Sequence, residues 1–513
     1  MNNKELSEEL LLKDLQEWAK RYHKKFGTFN ITRNFYRKHS KYSEGDVSEF
    51  FGTFSEFKDK ALALTDTFKR VENEIVRSSN TLKGKYLVSS VIEGSRYNKD
   101  FFKAMLNFCQ KENAKLILLW VRGVRKDDSF TPEEYESLKP YLATEYSFNS
   151  RLSAIDFMLY PTQILPLTGL NRFGSRDASL IVASPKQHLE SVPRTKGKSP
   201  RVLWTTGTIS TPRYSKTRAG SLAKQDNVLG ALVVEIESPK RFFIRPVQWI
   251  SDGFVDLGKK YTKDSVVPVK AKAMVWGDLH APEEDQKALG VAIEQAKYLK
   301  AEKIFLHDIC SFESINHHNK HKYLTRSMLK GNVKTLKDEL NYTKNLLKDI
   351  TSLFDDKTHF YIVHSNHDNF IKKYLEDGEF IKDTPNAIMG AQMFIDLSSH
   401  KNPLECIGND KITFLEEDGS YKVEGIELGL HGSETINGGR SSIRSFGRTQ
   451  DKAIIGHSHS PNIFFSVYQV GTLSQLRLGY NKGLSSWSHC NAVVYEGGYV
   501  QLLFVVDGKW RVK

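Results

Sequence analysis

The sequence predicts a mixed α/β (α+β) protein in three parts, and three observations lead there. Residues 1–84 are polar with a helical apolar period. Residues 85–265 open on a strand–helix–strand pattern. From residue 266 to residue 513, five short apolar segments each end in Asp, Asn or His. At about 150 residues per domain, the length suits two to four domains, with ample chain for a buried core.

In the first part, "SEELLLKDLQEWAKRYHKKFG" sets Leu10, Leu11, Leu15, Trp18 and Tyr22 on one helical face. A second short helix is predicted in "ITRNFYRKHS" and a third in "SEGDVSEFFGTFSEFKDKAL", started by Ser43 with Asp46 as its cap. Phe35, Tyr36, Phe50, Phe51 and Phe54 are the aromatic anchors of these helices, with Arg33, Arg37, Lys38 and Lys41 left for solvent. Two readings fit: a helix-turn-helix DNA-binding module, or a helical bundle used for assembly.

In the second part, "KYLVSSVIEG" and "AKLILLWVRG" read as strands flanking the helix "NKDFFKAMLNFCQKEN". Further strands are predicted in "ASLIVAS", "RVLWTTGTIS", "ALVVEIES" and "FFIRPVQWI". Residues 191–224 carry Arg194, Lys196, Lys198, Arg201, Arg213, Lys216, Arg218 and Lys224 without one Asp or Glu. Trp204 and Tyr214 lie among them. Such a segment suits a phosphate backbone with some base stacking, and Arg213, Lys216 and Arg218 are its candidate DNA contacts. A solvated basic loop is the plain alternative.

The bulk numbers narrow the function. A net charge of +13 favours a polyanionic partner, because bound Lys and Arg release counterions from phosphates. No apolar run is long enough for a transmembrane helix, so no membrane partner is expected. The N-terminus has early acids and no apolar secretory core. The four cysteines, Cys109, Cys310, Cys406 and Cys490, form no CxxC pair. That fits a reducing cytoplasm and argues against a disulfide framework or a thiolate zinc site. No GxxxxGK[ST] is present, which argues against a P-loop ATPase.

The third part carries the chemistry. "AMVWGDLHAPEEDQ" is a strand followed by Asp278 and His280, which alternation places on one side of an extended chain. "EKIFLHDICSFES" ends in Asp308, and "THFYIVHSNHDNF" in Asn366, His367 and Asp368. "EGIELGLHGSE" ends in His431, and "KAIIGHSHSP" in His457 and His459. Any one of these has an ordinary reading as a satisfied surface or core pair. Five in succession, each at a strand's carboxyl end where open α/β sheets bind ligands, argue for one convergent metal site.

This order of DxH, D, NHD, H and GHxH resembles the calcineurin-like metallophosphoesterase superfamily over nearly half the chain. The resemblance implies a β-sandwich flanked by helices and a two-metal site. Asp278, His280 and His459 would bind one ion, Asn366, His431 and His457 the other, and Asp308 would bridge them. His367 would protonate the departing oxygen, while Asp368 would orient that ring or cap the following helix. Two divalent ions about 3.5–4 Å apart clamp a phosphate and activate water for in-line attack. The donor set, free of sulfur, suits Mn²⁺ first, with Mg²⁺, Fe or Zn²⁺ as alternatives. Two departures stand near the metals: His307 and Ser365, where the family usually has Gly.

Between the motifs, "SINHHNKHKYLTRSMLKG" offers His317, His318 and His321 as substrate contacts, and "GGRSSIRSFGRTQDK" offers Arg440, Arg444 and Arg448. "YNKGLSSWSH" reads as a turn between closing strands. Within the superfamily, the basic charge and extra domains point to a DNase of the double-strand-break-repair type. The whole arrangement is similar to the pre-early DNases of T-five-like bacteriophages, which implies degradation of host DNA in the bacterial cytoplasm. A phosphatase or small-molecule phosphodiesterase and a non-catalytic DNA-binding or assembly protein are the alternatives. A homo-oligomer stays open.

Overall fold

In the computed structural model, the structure describes residues 7–26, 31–63, 76–78, 83–123, 131–173, 177–196, 198, 201–316, 335–449, 451–478 and 481–512. It is a mixed α/β protein with a small helical N-terminal region and several mixed sheets. Among the described residues, no helix is long and apolar enough to cross a membrane. The chain forms two units: Met1–Gln187 with Thr205–Leu232 and Ile236–Lys240, and His188–Trp204 with Val233–Glu235 and Arg241–Lys513.

The first unit begins with helices α1 (Glu8–Phe26), α2 (Arg33–His39), α3 (Glu44–Phe51) and α4 (Phe54–Ala63). Leu11, Leu15, Ala19 and Tyr22 of α1 form their core with Tyr36, Val47, Phe51, Phe57 and Ala61. The single helix expected after Ser43 is two. Gly52, at φ 69°, ends α3 in a backbone conformation that residues with a Cβ rarely adopt. The start of α3 is the capping box of Ser43 and Asp46 read from the sequence. Of the cations meant for solvent, Arg33 is held by Glu44 in a two-pronged pair at 3.0 and 2.9 Å.

Strands β1 (Gly84–Ile92) and β2 (Ala114–Val121) run parallel, with Lys85 opposite Ala114 and Ile92 opposite Val121. Helix α5 (Lys99–Glu112) connects them and buries Phe101, Phe102, Met105 and Phe108. This is the β-α-β unit the apolar pattern predicts. A short helix, α6 (Arg218–Gln225), follows exposed Arg213 and Lys216 and begins at exposed Arg218.

Two sheets carry the motif-bearing strands of the second unit. One contains β3 (Leu189–Val192), paired antiparallel with β4 (Arg201–Thr205). The other is built on β5 (Ala271–Val275), β6 (Lys303–Leu306), β7 (His359–Ile362) and β8 (Ile412–Phe414), all parallel. The first sheet continues with β9 (Ile426–Glu427), β10 (Lys452–Ile455), β11 (Asn462–Phe464) and β12 (Val467–Gln469). There β9, β10 and β12 are parallel, β11 reverses between β12 and β3. Antiparallel β13 (His489–Tyr495) and β14 (Tyr499–Val505) complete the second sheet, in the order β8-β7-β6-β5-β13-β14. The five motif-bearing strands therefore belong to two sheets, three in one and two in the other.

Alternation decides what each strand offers. Ile304, Leu306, Phe360 and Ile362 join the core of helices α7 (Gln286–Leu299) and α8 (Leu336–Ser352), with Ala288, Leu289, Ala292, Leu340 and Leu347. Each such buried side chain contributes roughly 1.5–3 kcal/mol. Phe305 and Tyr361 point the other way and stack at 5.0 Å, with Tyr421 against both. His307 continues that face toward the strands of the other sheet.

Candidate metal centre

Parallel strands deliver the candidate ligands at one edge. The β5–β6 pairing runs past the strand ends: Leu279 N–H donates to His307 O at 3.0 Å, and His280 N–H to Asp308 O at 2.7 Å. In the other sheet, Gly456 N–H donates to His431 O at 2.8 Å. The two edges are tied through Asp278, whose N–H donates to Gly471 O at 3.3 Å and whose carbonyl accepts from Leu473 N–H at 2.8 Å. Thr472 Oγ1 donates to the same carbonyl at 2.8 Å.

The backbone there is unusual. His280, Asp308, His457 and His459 have φ of 53°, 42°, 71° and 58°. Residues with a side chain rarely adopt this left-handed region, and it concentrates at functional sites where packing holds it. The motif glycines have a steric reason. A Cβ on Gly456 would collide with Asp278 Oδ1, and one on Gly277 would lie 2.8 Å from the backbone of Gly471 and Thr472.

The side chains converge in three overlapping groups: two share Asp308, and a third joins Asp278, His307 and His431, all buried. Asp278, His280, Asp308 and His459 form the first, all buried. His280 Nε2 lies 2.9 Å from His459 Nε2 and 3.5 Å from Asp308 Oδ2; His459 Nε2 lies 3.0 Å from Asp278 Oδ2. Asp308, His431 and His457 form the second. His431 Nε2 is 3.3 Å from Asp308 Oδ2, and Asn366 Oδ1 is 3.1 Å from His431 Nε2 and 2.9 Å from His457 Nδ1. Ligands about 2.1 Å from one cation stand about 3.0–3.4 Å apart, and these spacings match. Both oxygens of Asp278, Asp308 Oδ1, His280 Nδ1 and His459 Nδ1 are buried without a hydrogen-bond partner. Leaving one such group unsatisfied costs about 1–3 kcal/mol, so the oxygens fit a bound cation. These buried Asp and His groups can hold a metal ion.

The charges agree. Burial alone would raise both carboxyls, but His459 beside Asp278 and His431 beside Asp308 outweigh it and hold both below the ordinary aspartate range. Burial pushes His280 well below the usual imidazole value and His457 below it, so both offer lone pairs. His431 goes the other way. Burial opposes its charge, yet Asp308 prevails and raises it to about 9.

His367 sits at the rim, half-buried, with its ring 4.7 Å from that of His280. Its Nδ1 lies 3.0 Å from the carbonyl of Ser311. A carbonyl only accepts, so Nδ1 carries hydrogen and Nε2 is left to exchange a proton with whatever is bound. Asp368, the first residue of α9 (Asp368–Glu376), is buried, and its Oδ2 accepts from Ser365 N–H at 2.8 Å.

Two residues gained a role only in three dimensions. His307 places Nδ1 3.2 Å from Nδ1 of His431, so one ring donates to the other and the pair fixes how His431 presents Nε2 to Asp308. Burial pushes His307 down to about 4, which keeps it neutral. Trp487 packs against His459 with centroids 4.1 Å apart. The departure at position 307 was visible as a histidine beside a candidate ligand; nothing in "SSWSH" announced the second. His317, His318 and His321 lie outside the described residues. Arg440, Arg444 and Arg448 are exposed. Arg213, Lys216 and Arg218 are in the first unit, whereas every Asp and His of the centre is in the second.

Fold and site together define a mixed α/β protein with a buried Asp/His cluster able to hold metal. No family model matches the chain. It is 28% identical over 467 residues to Protein A1 of Escherichia phage T5, which covers 83% of this chain and 82% of that protein.

Proposed function

We propose that the protein is a metal-dependent DNase that hydrolyses phosphodiester bonds at a two-ion centre of the calcineurin-like metallophosphoesterase kind. The observation that carries this reading is the pair of buried donor groups sharing Asp308. Asp278, His280 and His459 would hold one divalent ion, and Asn366, His431 and His457 the other, with Mn²⁺ favoured by the nitrogen and oxygen donors. When bound, such ions supply Lewis acidity and lower the pKa of water. The chain's own residues do the rest. Hydrolysis adds water across the P–O bond, and the departing oxygen needs a proton. His367 Nε2 is free to deliver it, because Nδ1 is committed to Ser311. Net charge of +13 supports a polyanionic substrate, and similarity to a phage T5 protein supports a phage protein; host DNA in the bacterial cytoplasm, early in infection, is the substrate and setting of this reading.

The test digests end-labelled linear and circular DNA with Mn²⁺, Mg²⁺ and EDTA in parallel. Cleavage with Mn²⁺ that EDTA abolishes is expected. His367→Ala should still bind Mn²⁺ by calorimetry while losing turnover on the order of 10²-fold. A parent chain that binds DNA but leaves it intact in every metal would end the nuclease reading in favour of a non-catalytic DNA-binding protein.

A further inference from the structure

Residues 191–204 and 471–495 contain no Asp or Glu. The first stretch carries Arg194, Lys196, Lys198 and Arg201, the second Arg477 and Lys482. Distant in sequence, they are clamped together in the second unit. Arg194 N–H donates to Ser485 O at 2.8 Å, and Ser485 N–H to Arg194 O at 2.9 Å. Arg477 reinforces the joint: its guanidinium donates to the carbonyls of Asn481, Gly483 and Arg194 at 3.1, 2.8 and 3.3 Å. Lys196, Lys198 and Lys482 are exposed. Arg201 is buried, so its charge is not offered at the surface.

This clamp is anchored to the metal centre. Ser488 N–H donates to the carbonyl of His459 at 3.0 Å, Ser486 Oγ is 2.8 Å from Ser460 Oγ, and the Trp487 ring lies against His459. On the other strand, Ser191 Oγ donates to Pro461 O at 2.7 Å. Ser485 is thus two residues from a side chain touching a candidate ligand, and Arg194 is bonded to Ser485. Cations on backbone hydrogen-bonded to the neighbourhood of the proposed phosphodiester site, with no acid in either stretch, suit the phosphates flanking the bond to be cut.

We propose that the clamped segments around Arg194 and Ser485 form the track along which the backbone of a DNA strand reaches the Asp/His centre, with Arg194, Lys196, Lys198 and Lys482 neutralising its phosphates. This rests on the nuclease reading and gives it a substrate path. The cationic stretch 213–218, which looks equivalent in sequence, is in the other unit.

The test is the salt dependence of DNA binding in EDTA by the full chain, for the parent and for Lys196→Gln/Lys198→Gln/Lys482→Gln. Thermal melting and a Mn²⁺ titration check folding. The slope of log affinity against log salt should fall by about 2–3, with affinity roughly ten- to a hundredfold lower at low salt. The Lys→Arg triple should restore both, because the contacts are to charge. An unchanged slope, or a fall seen instead in Arg213→Gln/Lys216→Gln/Arg218→Gln, overturns the track while leaving the nuclease reading standing if the parent cuts DNA. A parent chain that cuts no DNA removes both.

Discussion

Two buried clusters of charge in the second unit are built on opposite terms. Away from the candidate ligands, Arg245 lies between Glu235 and Asp256, all three almost fully buried. Its guanidinium donates to Asp256 at 2.5 and 2.9 Å and to Glu235 at 2.8 Å. Gln501 and the backbone of Val512 donate to the two carboxylates at 3.0 and 2.9 Å. Every carboxylate oxygen there has a donor. At the strand ends, Asp278 Oδ1 and Asp308 Oδ1 have none, the other oxygen of each faces imidazole rings, and among the described residues no Arg or Lys is bonded to either carboxylate. One cluster supplies its own cation; the other presents anions and imidazole lone pairs to a cation from outside. A buried charge closed by its own partner holds a structure together. One left open, on backbone forced into the left-handed region, is a binding site.

The sharpest break is Asp308→Asn, which removes the carboxylate common to both donor groups. DNA cleavage should fall on the order of 10³-fold or more, and calorimetry should show the Mn²⁺ heat gone. Full cleavage would dissolve the contrast. Arg245→Met is the reciprocal change. It leaves two carboxylates buried without their cation and should destabilise by about 3–5 kcal/mol in urea unfolding, with Mn²⁺ affinity kept within about twofold. Next comes metal itself: Mn²⁺ at a hundred times its Kd should add about 2.7 kcal/mol, or roughly 5–10 °C in melting temperature. Asp308→Asn should lose that gain and Arg245→Met retain it. The smallest effect belongs to His307→Gln, which weakens the hold on His431. Mn²⁺ affinity should drop about tenfold with melting temperature near that of the parent, and equal affinity would mean that the ring only fills space.

Much of this centre was legible because its signals are local. An apolar strand followed within about five residues by Asp, Asn or His can be read without knowing where the strand goes, and so Asp278, His280, Asp308, Asn366, His431, His457 and His459 stand out as candidates from pattern alone. The β-α-β unit at Gly84–Val121 and the cap at Ser43 are equally short-range. Other features depend on partners far along the chain. The basic run 191–224 reads as one surface, yet its halves fall in different units. Gly52 divides a helix that apolar periodicity alone would continue. The segment around Trp487, read as a turn, is fastened to His459 and to Arg194, 291 positions earlier than Ser485 in the chain.

The sequence by itself determined which residue types stand at the strand ends and that the protein is mixed α/β, since alternation, capping and helical period act over a few residues. Only the tertiary structure decided that the five strands split between two sheets, that Asp308 is shared by both donor groups, and that His307 reaches His431 and Trp487 reaches His459. Those outcomes depend on register and packing between segments up to two hundred residues apart, where no short-range preference acts and the burial of the whole core selects the arrangement.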